Sequence, residues 1–337
     1  MSKIVSNYYD DLIYLVYETH RQRKEDYQAK LKIRQHFYEI LNSKLDVSFD
    51  LYMVGSTQTQ FSLRSSDMDL CMLVYDADGH IDQRYRQDKA TTIALLKSIK
   101  DIISEKLWLK NEINLLMNAR VPILKIETEH NFYRVAVDLN INGDLSIRNT
   151  FLLTYYQELD HRVAPLVVAI KSWARKNRID SPFYGMLSSY SLSLMAIHFL
   201  QNIQPPILPL LQIDLTNQST FDRIVNTGRL QEHLNVFILE TRKKFHSQNR
   251  LPLGELFYRF IGYYLQRFSY RYHFSIRELF AYRFSSNGTF IMIEDPFHYH
   301  NTASSVTISS YMTIMEAFRR TYSSLKCYTL SEQFFDL

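Results

Sequence analysis

VGSTQTQFSLRSSDMDLCMLV, residues 54–74, is the stretch that decides the fold. Gly55 and Ser56 follow one apolar run, and Asp67 and Asp69 lead into another. Side chains at i and i+2 of an extended segment point to the same face, so these two carboxylates should stand together. Like charges held together repel unless a cation neutralises them. The stretch therefore predicts a strand, a Gly-Ser loop and a second strand that carries a divalent-metal site.

A further carboxylate lies in the strand predicted over residues 132–141, FYRVAVDLNI. Alternation puts Val135, Val137 and Leu139 on one face and Asp138 on the other. A carboxylate within an apolar strand is costly if it is buried and unpaired. We therefore expect Asp138 to share a metal with the two aspartates of the first stretch. The alternative is an aspartate at the strand edge that accepts backbone hydrogen bonds.

Composition limits the class of protein. A chain of 337 residues can form two domains with substantial cores, and a formal net charge of +4 gives no strong overall field for nucleic acid. Cys71 and Cys327 lack metal-ligand spacing, which fits a reducing compartment. No apolar run reaches membrane-spanning length and no signal-peptide pattern is visible, so we expect no membrane. The absence of a Walker or dinucleotide fingerprint argues against P-loop and Rossmann sites.

Helical periodicity dominates both sides of the predicted strands. It predicts one N-terminal helix over residues 4–43 and another over residues 161–177. In the second helix, Lys171 and Arg175 share one face four residues apart. Two cations so spaced could hold a polyphosphate, or they could be the solvated side of the helix.

A third helix is predicted after residue 188, with Ser188 or Ser189 as its N-cap. A helix N-terminus with free N–H groups can bind an anion. Tyr190 at this terminus could stack on a base or belong to the core. Further along, RFSYRYHF (267–274) mixes basic and aromatic residues; we favour a half-buried strand there over a site for single-stranded nucleic acid.

These motifs resemble those of the polymerase-β-like nucleotidyltransferases, and more narrowly the cytoplasmic poly(A) polymerase and terminal uridylyltransferase family. Gly-Ser followed by SDMDL (66–70) matches the first family signature, and VDL (137–139) matches the second. The resemblance covers roughly residues 50–325 and is strongest to the germline-development type of cytoplasmic poly(A) polymerase. Further matching blocks follow in the family's order: IRNTFLL (147–153), RVAPLVVAIKSWA (162–174), SPFYGMLSSYSLSLM (181–195) and IEDPFHYHNTA (293–303).

The resemblance implies a role for each matching residue. Asp67, Asp69 and Asp138 would hold two Mg²⁺ or Mn²⁺ ions, one activating the RNA 3′-hydroxyl and the other binding the triphosphate of the substrate ATP. The implied nucleotide contacts are Gly55 and Ser56 to the terminal phosphates, Lys171, Arg175 and Ser189 to the triphosphate, Asn149 and Thr150 to the ribose and base, and Tyr190 under the base.

Two positions depart from the family pattern. Relatives usually carry a glycine about five residues after Gly55, where this chain has Gln60. The second departure lies in the base-selecting turn that begins at Asp295. Uridylyltransferases of the family place a histidine four residues after the Phe of EDPF, just before an asparagine. Asn301 holds that fourth position here, as in adenylyl-adding relatives, which predicts ATP; His300 precedes it, and a one-residue slip would predict UTP.

The fold implied by the resemblance is bilobal, α/β plus α. A polymerase-β-like nucleotidyltransferase domain with a mixed sheet would span residues 45–145, and a mostly helical central domain would comprise residues 1–44 and 146–337. The expected function is template-independent RNA 3′-terminal adenylyl transfer that extends poly(A) tails in the cytoplasm. The alternatives are a UTP-using terminal uridylyltransferase and an inactive scaffold of the same fold. Because no RNA-binding module is visible, we expect an RNA-binding protein partner to recruit the RNA.

Overall fold

The computed structural model describes residues 3–106, 112–119, 121–130, 133–210, 230–269, 272–278, 288–298 and 300–335. The chain divides into two compact units. The sheet unit comprises residues 22–154 and 214–237, and the helical unit comprises residues 1–21, 155–213 and 238–337. Within the described ranges, every helix is too short or too polar to cross a bilayer.

A mixed five-stranded sheet forms the centre of the sheet unit. Its strands, in the order β1-β2-β5-β4-β3, pair antiparallel except for the parallel pair β2–β5. The mixed sheet predicted from the sequence is confirmed. The strands are β1 (Ser48–Val54), β2 (Met68–Tyr75), β3 (Ile113–Leu116), β4 (Ile123–His130) and β5 (Tyr133–Ile141).

One face of the sheet forms the core of the sheet unit. The predicted alternation in β5 is confirmed, because Val135, Val137 and Leu139 are all buried in this core. Two helices contribute their apolar stripes to the same core: α2, with Ile33 and Phe37, and α4. The helices before residue 107 are α1 (Lys3–His20), which lies in the helical unit, and α2 (Lys24–Asn42), α3 (Arg84–Gln87) and α4 (Lys89–Lys106), which lie in the sheet unit.

The prediction of a single helix over residues 4–43 is wrong, because α1 ends at His20 and a separate helix, α2, begins at Lys24. A capping contact marks the new start: the Arg23 N–H donates to Asp26 Oδ2 at 2.9 Å. Since α2 packs on the sheet, the compact sheet unit begins at residue 22. The functional boundaries at residues 45 and 145 stay a prediction.

The helical unit is built around aromatic side chains. Trp173 is fully buried against Phe257 and Phe318, and its Nε1–H donates to Thr321 Oγ1 at 2.8 Å. The main helices after α4 are α5 (Asp144–Leu159), which contributes to both units, α6 (Val163–Lys176), α7 (Ser189–Asn202), and the helices Leu230–Lys244, Leu253–Ser269 and Ile308–Lys326.

The strand predicted over residues 267–274 is wrong for its first part. Residues 267–269 end the helix Leu253–Ser269, and only His273–Phe274 form a strand, paired parallel with Met292–Ile293. Residues 270 and 271 lie outside the described residues. The run of apolar residues before Ser269 continues the helix at helical spacing, which the basic–aromatic alternation concealed.

Candidate active site

Three carboxylates are directed to one face of the sheet. Asp69 on β2 lies directly opposite Asp138 on β5 in the parallel register, and neighbouring strands are about 4.8 Å apart. Asp67 comes one residue before β2, and alternation directs it to the same side as Asp69. The core residues of both strands occupy the opposite face. Backbone register therefore brings together the aspartates that the sequence singled out.

A lysine that the sequence analysis missed lies on the other side of Asp138. Lys125 on β4 is paired with Asp138 in the register, and its Nζ donates to Asp138 Oδ2 at 2.9 Å. Burial by itself would lower the pKa of Lys125, but this hydrogen bond and the charges of Asp138, Asp67 and Asp69 together raise it. The sequence signal was a single lysine in the apolar run VPILKI, one hairpin before Asp138.

One carboxylate oxygen of Asp138 is available to a further ligand. Its Oδ1 is buried and has no hydrogen-bond partner among the described residues. An unpaired buried carboxylate oxygen is costly, and carboxylate oxygens are the ligands that hard divalent cations prefer. The carboxylates of Asp67, Asp69 and Asp138 are therefore suitable ligands for a divalent cation, and Asp138 Oδ1 is available to bind it.

A second group of acidic residues lies in the turn after β2. In the described part of the chain, Asp76, Asp78 and His80 form the one group of three whose ligand atoms all lie within 4.8 Å of one another. All three are exposed, and Asp76 Oδ1 accepts the N–H groups of Asp78 and His80 at 3.0 and 2.9 Å. That pattern is an aspartate closing its own turn, so we keep the sheet aspartates as the candidate metal centre.

The Gly-Ser turn approaches the carboxylates so closely that only glycine fits. Gly55 begins a 3₁₀ turn (Gly55–Thr57) with a left-handed φ of +71°, and a Cβ there would lie 2.4 Å from Asp69 Oδ2. The Gly55 N–H donates to Thr150 Oγ1 at 2.8 Å, and Thr150 Oγ1 donates to the Ser146 carbonyl at 2.6 Å. Thr150 thus holds the turn, and the Gly55 N–H already has a partner. Of the predicted phosphate contacts here, the half-buried Ser56 hydroxyl is the better placed.

Gln60, the departure from the family pattern, adopts the backbone conformation that favours glycine. Its φ is +60°, which costs a non-glycine residue about 1–2 kcal/mol. The loop keeps its left-handed bend without the glycine that relatives carry.

Lys30 is a second lysine that the sequence analysis missed. It is fully buried on α2, and its Nζ donates to Gln22 Oε1 at 3.0 Å, Thr57 Oγ1 at 3.2 Å and the Ser66 carbonyl at 3.0 Å. Burial lowers the pKa of Lys30 to about 8. The negative charges of nearby carboxylates act in the opposite direction, and the charge of Asp69 has the largest effect among them. The signal was a lysine in the apolar stripe of its helix, three residues before a core isoleucine.

Asn149 on α5 is a further polar group of the sheet unit. Its Oδ1 is buried and has no hydrogen-bond partner among the described residues. A buried amide oxygen of this kind is available to a donor from a ligand. The predicted contact of Asn149 with the nucleotide therefore stays open, whereas the Thr150 hydroxyl next to it is engaged by the turn.

The two cations of α6 have different surroundings. Lys171 is only 4% exposed, so its interpretation as part of a solvated helix face is wrong. Arg175, one turn later, is partly exposed, and its Nε lies 3.6 Å from Asp180 Oδ2. A polyphosphate contact by both residues stays a prediction.

Ser188 is the N-cap of α7, the first of the two predicted alternatives. Its hydroxyl accepts the Ser191 N–H at 2.9 Å. Ser189 is therefore the first helical residue, and it is exposed. An exposed hydroxyl at a helix N-terminus can reach an anion, as predicted for Ser189.

Tyr190 and Asp295 are held by each other. The Tyr190 hydroxyl donates to Asp295 Oδ2 at 3.1 Å, and burial together with the Asp295 charge raises the pKa of Tyr190 well above its usual value. Asp295 is buried, and its Oδ1 accepts the N–H groups of Phe297 and His298, each at 2.9 Å. Asp295 therefore shapes the turn that follows it and fixes the Tyr190 ring.

In the same turn, the Asn301 amide makes three hydrogen bonds to the backbone. Its Oδ1 accepts the N–H groups of Ile293 and Ala303 at 2.9 and 3.0 Å, and its Nδ2 donates to the Ile291 carbonyl at 2.8 Å. His300 differs, because its Nδ1 is buried with no hydrogen-bond partner among the described residues. Base selection by Asp295, His300 and Asn301 stays a prediction; of the three, His300 has a buried ring nitrogen that is available to a ligand.

A mixed sheet with carboxylates on adjacent parallel strands, preceded by a Gly-Ser turn, defines a polymerase-β-like nucleotidyltransferase fold. Residues 10–158 match the family described as "Poly(A) RNA polymerase, mitochondrial-like, central palm domain". A structure of the Cid1 poly(U) polymerase, a histidine-to-asparagine mutant bound to MgATP, aligns with a TM-score of 0.76 at 26% identity over 97% of this chain and 98% of that one.

In sequence, the chain is similar to the GLD2-type poly(A) RNA polymerases. It is 36% identical over 262 residues to poly(A) RNA polymerase gld-2 of Caenorhabditis elegans, covering 76% of this chain and 22% of that protein. It is 32% identical over 320 residues to GLD2 of Rattus norvegicus, covering 92% of this chain and 63% of that protein. The chain thus spans less than two thirds of the length of these curated relatives.

Proposed function

We propose that this protein is a template-independent RNA 3′-terminal adenylyltransferase that adds AMP from ATP to RNA ends. The observation that carries the proposal is the register of Asp69 beside Asp138, with Asp67 two residues away on the same face. The relatives named poly(A) RNA polymerase support the choice of reaction. All three carboxylates are present, which argues against an inactive scaffold.

The residues of the sheet unit would position the reacting groups. Asp67, Asp69 and Asp138 would hold two Mg²⁺ or Mn²⁺ ions, which when bound supply Lewis-acid activation and neutralise phosphate charge. Ser56 would contact the terminal phosphates from the turn that Gly55 allows beside Asp69. Phosphoryl transfer is mainly positioning and charge neutralisation, so the fixed turn and strand register are the contribution of this chain.

The helical unit would supply the remaining nucleotide contacts. Lys171, Arg175 and Ser189 would contact the triphosphate and Tyr190 would stack under the base, with its hydroxyl fixed by Asp295. We assign these roles to a central domain of residues 1–44 and 146–337, and the metal chemistry to a catalytic domain of residues 45–145. Because the net charge is only +4, RNA binding should be weak and salt-sensitive. An RNA-binding partner protein in the cytoplasm would then recruit the RNA.

A second candidate function is uridylyl transfer from UTP. Two observations favour it: the Asn301 amide oxygen and one of its N–H groups are bonded to the backbone, and the buried His300 Nδ1 has no hydrogen-bond partner among the described residues. His300 Nδ1 would then be available to a base. The solved Cid1 structures concern UTP selectivity and include a histidine-to-asparagine mutant with MgATP, so a histidine in this turn is the natural residue to test.

The test is incorporation of each labelled nucleoside triphosphate onto an A-rich RNA primer. The adenylyl proposal expects ATP to be used most, and mainly UTP incorporation would overturn it in favour of the second candidate. His300→Ala separates the two further: it should shift a UTP-using protein toward ATP and leave an ATP-using protein's preference unchanged. His298→Ala, two residues earlier in the same turn, is the matched control.

A further inference from the structure

We propose that Lys30 is a positioning residue, which fixes the Gly55–Thr57 turn against the segment leading to Asp67 and so sets the geometry in which the carboxylates bind metal. This role rests on the proposed function of those carboxylates. Lys30 reaches neither nucleotide nor RNA in this role; it acts through the backbone around the site.

The hydrogen bonds of Lys30 join three segments that are distant in sequence. They reach Gln22 before α2, Thr57 in the Gly-Ser turn, and the carbonyl of Ser66, the residue next to Asp67. An ammonium group has three donors, and all three are used. Because the side chain is fully buried, no donor is left for solvent or substrate.

The partners of Lys30 are themselves tied to the same loop. The Gln22 Nε2 donates to the Thr57 carbonyl at 3.1 Å, and the Gln22 N–H donates to the Ser62 carbonyl at 3.1 Å. The Thr57 hydroxyl lies 3.4 Å from the Asp67 carbonyl. The loop between β1 and β2 is thus held at its start, its middle and its end by one network centred on the lysine.

A buried ammonium is costly unless it is paired and hydrogen-bonded. An apolar residue would fill the same space on the core stripe of α2 without that cost. Only a cation with several donors can hold carbonyl and hydroxyl oxygens from separate segments beside a cluster of carboxylates. The chemistry of the position therefore matches a positioning role better than a packing role.

The experiment compares Lys30→Met with Lys32→Met, which changes an exposed lysine of the same helix. The readouts are the Mn²⁺ dissociation constant of the nucleotide-free protein, by titration calorimetry, and kcat and KM for ATP. We expect Lys30→Met to weaken Mn²⁺ binding and lower kcat by about 10–100-fold each, as loss of residues that orient metal ligands does, with KM changed less. Lys32→Met should match the wild type.

The sign of the Mn²⁺ effect makes the test decisive. Removing a positive charge near carboxylates would by electrostatics alone tighten cation binding, so weaker binding identifies positioning. Unchanged or tighter Mn²⁺ binding by folded Lys30→Met overturns the proposal. If that variant does not fold, Thr57→Val removes one partner and keeps the charge; it should weaken Mn²⁺ binding several-fold, and unchanged binding overturns the proposal. A wild type that binds Mn²⁺ but transfers no nucleotide would refute the proposed function alone.

Discussion

Two lysines of the sheet unit and one histidine of the helical unit have contrasting surroundings. In the sheet unit, Lys30 and Lys125 stay cationic beside a cluster of carboxylates. In the helical unit, His198 is buried among aromatic rings, and burial, aided by the positive charge of Arg267, lowers its pKa to about 3. The sheet unit gathers charges where phosphate chemistry would occur, whereas the aromatic surroundings of His198 disfavour a charge on that one side chain.

Different kinds of structure produce this contrast. In the sheet unit, strand register puts Asp69 beside Asp138. The helical unit instead depends on interlocking rings, with Tyr264 fully buried against Phe260, Phe268 and Phe274. Changes at the sheet face should therefore affect activity first, and changes in the aromatic core should affect stability first.

The largest expected effect is at the sheet face. Asp138→Asn removes a carboxylate charge at nearly constant volume, and we expect incorporation of labelled ATP to fall on the order of 10³-fold. Asp78→Asn, in the exposed turn after β2, is the matched control and should retain full activity. Activity of Asp138→Asn within tenfold of the wild type would mean that the reaction occurs elsewhere.

The next effect separates a clash from backbone strain. Gly55→Ala would put a Cβ 2.4 Å from Asp69 Oδ2, whereas Gly79 has a similar φ of +78° and nothing within 4 Å of its Cβ position. Displacing a catalytic group by about 1 Å can cost about 10²-fold, so we expect Gly55→Ala to lose activity by that factor. Gly79→Ala should lose only about 1–2 kcal/mol of stability. Equal activities in the two variants would refute the clash.

A pH effect tests the helical unit. The pKa of His198 is about 3 in the folded protein and about 6.5 when unfolded. The unfolded state therefore binds more protons between these values, and stability falls as the pH falls. From pH 8 to pH 5 His198 should remove about 2 kcal/mol from the free energy of unfolding.

Urea denaturation across this pH range measures the effect. His198→Gln cannot titrate, so its free energy of unfolding should fall less than that of the wild type by about the same amount. Parallel pH profiles for the two proteins would show that folding does not lower the pKa of His198.

The smallest expected effect is at Gln60. Gln60→Gly relieves a left-handed backbone conformation with φ +60° and should raise the free energy of unfolding by up to about 1 kcal/mol. Gln58→Gly, where φ is −83°, should lower it by about 1 kcal/mol, because it only adds freedom to the unfolded chain and loses a hydrogen bond from Tyr27. Thermal unfolding of both variants tests whether Gln60→Gly stabilises the protein and Gln58→Gly destabilises it.

Local patterns account for what the sequence predicted well. The apolar alternation around Asp138 and the i, i+2 spacing of Asp67 and Asp69 depend only on the geometry of a strand, so they survive in the structure. The break between α1 and α2 was missed because both helices have apolar stripes of similar period. The strand predicted at residues 267–274 is wrong for its first part because Arg267 to Ser269 are the last residues of the helix that begins at Leu253.

The sequence by itself determined the three carboxylates, the glycine beside them and the alternation that separates them from the core. Only the tertiary structure decided which side chains support them. Lys30 reaches Ser66 across 36 positions, and the Asn301 amide bonds to the backbone of Ile293 and Ile291, which lie 8 and 10 positions before it. The physical reason is that strand and helix periods act between near neighbours, whereas the partner of a buried polar group is chosen by how distant segments pack.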